Sequence, residues 1–298
     1  MSPKESARKT SFNTFVVAHG VAMSIVYIIV KGFLSYTTIL DALAFYGVYH
    51  RDPMNQLIHF FGVPCIIWSM LVFLAHLNLN INLMGMDNEM DMDVDMGIDI
   101  PFAKKHRFNY SSVVILVYVT FYLYLDLLGG LLFAPFAYFM YVTANNVTIT
   151  DRETYLREEE QELASKSKKD DDDGGIHING DGKSNGDGNG NGKVPVVDKY
   201  SWTGTGRVLK MAGILHFLGW YVQIHPGHAI YEGATPAVTK SVGGALTSAP
   251  LFAYYEGLWF LGVNKQLQDA TKVLVDQYSI ELCKGGADMR ACGDYDLN

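Results

Sequence analysis

Four of the nine histidines in this chain fall within two short segments that border long apolar runs. One runs from Ala44 to His59 and contains His50, Arg51, Asp52, Pro53, Asn55 and His59; the other runs from Gln223 to Glu232 and contains His225, Pro226, Gly227 and His228. Imidazole is costly to bury without a partner, and coordination of a metal offsets that cost. Two histidines and a carboxylate suit a non-haem Fe(II) site with positions left open for oxygen and substrate. His50, His59 and His228 are the leading candidate ligands, followed by His225 and Glu232. Arg51, Asn55, Gln223 and Glu256 are the candidates for positioning substrate or ligands. Glu256, like Asp126, lies within or near an apolar run, where an ionisable group is a functional suspect.

Local signals say how these residues would meet. Asp is a favoured N-cap and Pro a favoured first helical residue. The Asp52-Pro53 pair therefore predicts one helix over roughly 37–50 and another starting at Pro53. The break lets His50 fold back toward the face that carries Asn55 and His59, which are neighbours at i, i+4. Asn55 then has the place of a group that orients the His59 ring. Pro226-Gly227 predicts an interruption after the helix arriving from 208–224, with His225 and His228 projecting from a turn. Glu232 shares the face of His228 if a helix restarts. His19, His76 and His216 stand singly in apolar runs and read as packing or pore-lining residues.

The elements that hold these segments are apolar. Windows at 14–31, 60–79, 110–128, 130–146, 208–224 and 245–263 approach the roughly 20 residues that cross a bilayer. Gly129-Gly130 separates two of them and predicts a tight helical hairpin. The fold expected is an all-α polytopic membrane bundle of about four to six spans with a disordered internal loop. Its divisions are an N-terminal extension (1–35), two halves of one membrane domain (36–150 and 205–266), an acidic Gly-rich loop (151–204) and a C-terminal tail (267–298).

Of the 298 residues, 49% are hydrophobic, and the net charge of −8 is concentrated in loops. Residues 84–100 and 151–200 together carry −11, which leaves the apolar body weakly basic. That argues against nucleic acid as a partner, since binding it requires a basic face. The tract at 157–200, rich in Lys, Asp, Gly and Asn, buries too little apolar surface to offset its ordering entropy. Asp187 to Asp198 matches the spacing of a calcium loop, but a repetitive Asp/Asn/Gly tract produces such matches by composition alone. Cys65, Cys283 and Cys292 form no Cys-x-x-Cys pair and are expected as free thiols.

The pattern Tyr-x-x-Tyr-His-x-x-Pro-x-Asn-x-x-x-His-x-x-Gly-Val-Pro occurs here from Tyr46 to Pro64. It is followed later by Trp220, Gln223, Gly227-His228, Glu232, Pro236-Ala237 and Ala249-Pro250-Leu251-Phe252. In these segments the chain resembles the Mpo-like family. The resemblance implies a multi-pass membrane protein of the endoplasmic reticulum. Its activity would be Fe(II)-dependent dioxygenation of a long-chain 2-hydroxy fatty acid, shortened by one carbon in the breakdown of sphingoid bases. It further implies that His50, His59 and His228 are associated with the iron, while the substrate tail lies among apolar helices and O₂ and the lipid bilayer are the other partners. The rival reading is a non-catalytic transporter or lipid-binding scaffold, since broken helices with polar residues at membrane depth also mark transport sites. A di-iron hydroxylase would need several clustered histidine boxes, and only His225-x-x-His228 approaches one.

Overall fold

The computed structural model describes residues 3–77, 108–173, 204–286 and 292. Within them the chain forms eight α-helices: α1 (Pro3–Phe33), α2 (Ile39–Gly47), α3 (Pro53–Ala75), α4 (Tyr110–Leu125), α5 (Leu127–Asp173), α6 (Arg207–Val222), α7 (Val242–Phe260) and α8 (Lys265–Lys284). A π-helical segment, Gln223–Glu232, continues directly from α6. The all-α bundle expected from the sequence is what forms.

The helix ends follow local chemistry. Thr38 caps α2 by accepting from Asp41 N. Asp52 caps α3 by accepting from Met54 N and Asn55 N, with Pro53 at the first helical position. Asn109 and Ser112 close a capping box on α4, satisfying two otherwise orphaned donors. Pro250, inside α7, has no N–H to offer the carbonyl one turn earlier. Tyr118 of α4 donates its hydroxyl to that Leu246 carbonyl at 2.6 Å, and Tyr122 donates to the next one, Thr247, at 2.9 Å. A strain point in α7 thus becomes the dock for α4.

α3 is the central helix and packs against α4, α5, α6, α7 and the π-helical segment. Three helices are long and apolar enough to cross a bilayer: Val16–Phe33, Pro53–Ala75 and Leu127–Ser165. Their outer faces, and that of α6, expose Val17, Tyr27, Leu127, Leu131, Phe139, Ile214 and Phe217. Apolar side chains exposed in such numbers need a hydrocarbon solvent, and this is a membrane protein. The expected count of about four to six full spans is not reached among the described residues. α4 and α6 have 16 residues each, about 24 Å of helix against a hydrocarbon core of about 30 Å.

Four further expectations are corrected. The helical hairpin breaks at Asp126, with Gly129 and Gly130 inside the first turns of α5. Residues 157–173, expected in a disordered loop, extend α5 as helix. The expected tail from 267 forms α8, which packs on α2. Cys283 and Cys292, expected as free thiols, form a disulfide with Cα atoms 5.5 Å apart. Cys65 is free. The acidic tract 84–100 and the calcium-like spacing at 187–198 lie outside the described residues.

Candidate metal centre

The α2–α3 turn and the π-helical segment meet at one end of the bundle and bring His50, His59 and His228 together. One potential ligand atom from each lies within 4.8 Å of the others. The rings pack edge to face, with centroids 4.3 Å apart for His50–His59, 4.7 Å for His50–His228 and 5.0 Å for His59–His228. All three are buried, at 1%, 3% and 3% exposure.

Hydrogen bonds fix which nitrogens face the centre. His50 Nδ1 lies 2.8 Å from the Tyr46 carbonyl, and His59 Nδ1 lies 2.9 Å from the Asn55 carbonyl. A carbonyl can only accept, so each Nδ1 carries the proton and each Nε2 presents a lone pair. His50 Nε2 and His228 Nδ1 are buried without a hydrogen-bond partner. Burial, with the neighbouring His59 and His228 rings, holds His50 well below the ordinary imidazole range, and burial pushes His228 down to about 4. At neutral pH both are therefore uncharged and able to ligate. Converging imidazole lone pairs with no protein donor to meet them are what a metal ion satisfies, and the residues present fit one.

Close backbone approach makes the cluster possible. A side chain at Gly227 would place its Cβ 2.6 Å from Asn55 Oδ1, and one at Gly62 would meet the Gln223 amide at 2.7 Å. Pro226 does not break the helix into a turn as expected. The chain widens into a π-helix, closed by Gly233 N donating to the His228 carbonyl five residues back. π-helical turns are rare and concentrate at functional sites. This one turns His228 inward and leaves His225 exposed, stacked on Tyr221 at 5.6 Å. His225 is therefore outside the cluster.

The other predicted residues surround the cluster without joining it. Glu232 is buried and its carboxylate is occupied: Oε1 accepts from Arg51 N at 2.9 Å, and Oε2 accepts from Asp52 N at 3.0 Å and Asn55 Nδ2 at 2.9 Å. It ties the end of the π-helix to the α2–α3 turn, so the ligand set brought together is three imidazoles and no carboxylate. Arg51 turns away, to Asp276 of α8 at 3.1 Å. Gln223 lines the cavity beside His228 and donates to the Gly219 carbonyl at 3.0 Å. Glu256, on α7, faces Tyr46 and Glu232 from outside the cluster. Sequence reasoning missed Tyr46, whose ring stacks on His50 at 3.8 Å and 11°. Its signal was the i, i+4 spacing to His50 at the end of α2.

The triad lines a cavity that opens to the outside of the bundle. Beyond the histidines and Gln223 its wall is mostly apolar, with Val63, Ile66, Ile67, Leu246 and Ala249 among its residues. A family model described as 2-hydroxy-palmitic acid dioxygenase Mpo1-like matches residues 36–258, which include α2, α3, the π-helix and most of α7. The chain belongs to the Mpo1-like family. No curated protein and no solved structure matches it. The Mpo1-like match contains both histidine segments and every residue lining the cavity. It leaves out all of α1, all of α8 and the disulfide.

Proposed function

We propose that the protein is an Fe(II)-dependent dioxygenase of the endoplasmic reticulum membrane that shortens long-chain 2-hydroxy fatty acids by one carbon in sphingoid-base breakdown. The observation that carries the reading is the orphaned pair His50 Nε2 and His228 Nδ1, on residues that with His59 line a mostly apolar cavity. The family description, a 2-hydroxy-palmitic acid dioxygenase, supplies the substrate class. Imidazole suits zinc, copper, iron and nickel, but zinc has no redox chemistry, and oxygenation requires it.

The stoichiometry balances with one O₂: the C1–C2 bond breaks, C1 leaves as carbon dioxide, C2 becomes the new carboxyl and one water forms. Fe(II), when bound, supplies redox chemistry and Lewis acidity at the 2-hydroxy acid headgroup. His50, His59 and His228 would hold it. The Tyr46 and Asn55 carbonyls fix the ring tautomers of His50 and His59. Glu232 locks the two histidine-bearing segments in register. Gln223 lies within reach of a headgroup at the triad, and the apolar wall takes the tail and excludes water.

The test is product analysis. Membranes containing the full chain, supplied with 2-hydroxypalmitate, O₂ and Fe(II), are expected to yield pentadecanoate. The product should vanish with a chelator or in His228→Ala. Absence of pentadecanoate from well-expressed protein with that substrate and with longer and shorter 2-hydroxy acids would overturn the reading.

A further inference from the structure

One part of the cavity wall is held by a hydrogen-bonded chain that the triad does not use. Trp220, on α6, lines the cavity, and its indole N–H donates to His216 Nε2 at 3.1 Å. His216 must then carry its proton on Nδ1, which donates to Ser69 Oγ at 2.9 Å. The Ser69 hydroxyl in turn donates to the Ile66 carbonyl at 2.9 Å, and Ser69 is fully buried in α3. Three polar side chains thus form a one-directional chain that pins the indole between α6 and the centre of the bundle. His216 is half-buried, and both its ring nitrogens are satisfied without any metal.

The placement of this chain is set by the antiparallel packing of α3 and α6. Gly62 faces Gln223, Ile66 faces Gly219 and Ser69 faces His216. Trp220 and Ile67 therefore lie about two helical turns, about 12 Å, beyond His228 and His59. Leu246 of α7 is also part of the lining, held by Tyr118. A fatty acid whose carboxyl end sits at the triad would direct its tail toward this level.

We propose that Trp220, locked by His216 and Ser69, narrows the acyl cavity about two helical turns from the triad and so sets how readily longer chains are accepted. This inference rests on the oxygenase reading above. Trp220 is a specificity-determining residue and His216 a positioning residue acting through it. A tail that reaches past this level must pass an indole held in place by its hydrogen bond to His216.

The experiment compares turnover of a series of saturated 2-hydroxy acids, from 2-hydroxylaurate to 2-hydroxylignocerate, in membranes holding wild type, Trp220→Ala, Trp220→Phe, His216→Phe or Ala245→Leu. Trp220→Ala is expected to raise the ratio of long-chain to short-chain turnover by at least about tenfold, the scale on which apolar pockets discriminate by size. Trp220→Phe and His216→Phe should shift it in the same direction by less. Ala245→Leu, which narrows the cavity from its α7 wall, should shift it toward shorter acids. Equal loss on every acid, or an unchanged profile in active Trp220→Ala or Trp220→Phe, would overturn the assignment. If Trp220→Ala does not accumulate, the profiles of Trp220→Phe and Ala245→Leu decide. A wild type that converts none of the acids would instead defeat the oxygenase reading itself.

Discussion

Two clusters of buried polar side chains lie at opposite ends of α3, and they are built on opposite terms. At the far end, Asn109 Nδ2 donates to Asn145 Oδ1 at 2.7 Å, and Asn145 Nδ2 returns to Ser111 Oγ at 3.0 Å and the Tyr141 carbonyl at 2.9 Å. Asn109 Oδ1 accepts from Ser111 and Ser112. Each side-chain polar atom of the asparagine pair is met by another protein group. At the near end, His50 Nε2, His228 Nδ1 and Asn55 Oδ1 are equally buried and have no partner. A satisfied network holds helices together, whereas a set of orphaned lone pairs is stable only with something outside the chain to meet it. The difference separates these two clusters more clearly than burial or residue type does.

The contrast breaks most sharply on the histidines. His59→Ala should eliminate iron binding and product while the protein still accumulates in membranes. Iron content and product assayed on the same preparation check this, and retention of both would remove His59 from the ligand set. Glu232→Gln comes next, because a neutral amide replaces the carboxylate that receives three N–H groups from the α2–α3 turn. Iron affinity should fall roughly 10–100-fold, as for groups that orient ligands, measured by chelator competition.

At the other end, Asn109→Ala leaves Asn145 partly unmet. It should destabilise the protein by about 1–3 kcal/mol in detergent unfolding while leaving iron affinity unchanged. A drop in iron affinity there would mean the two ends are coupled and the contrast is false. Acidification sharpens the same point. The lowered His50 and His228 values mean the unfolded chain binds more protons than the folded apoprotein. Apoprotein stability should therefore fall as pH drops below about 6.5, continuing toward the value near 4 for His228. A flat thermal-melt profile over that range would contradict the buried neutral imidazoles. The smallest effect is expected from Arg51→Ala. Its ion pair with Asp276 joins groups 30% and 55% exposed, so its loss should cost no more than about 1 kcal/mol and leave product formation in place.

Much of this was legible in the chain because it depends on neighbours in sequence. Asp52-Pro53 announces its own helix start, and the i, i+4 spacing of Asn55 and His59 puts both on one face. What escaped depends on distant partners. Glu232 looked like a ligand, and only the fold shows its carboxylate taken up by backbone groups about 180 residues earlier. Pro226-Gly227 signals disruption equally well for a turn and for a π-helix. The space that decides between them comes from Asn55 and His59 on α3. α8 was missed because it is amphipathic, not apolar, and the Cys283–Cys292 pair because spacing alone does not bring two thiols together.

The most direct test of the central claim is the metal content of the purified protein. Full chain reconstituted anaerobically with Fe(II) and freed of excess metal should hold one iron per chain. His50→Ala, His59→Ala and His228→Ala, each recovered folded, should hold none. A wild type without iron, or iron retained equally in all three variants, would contradict the account.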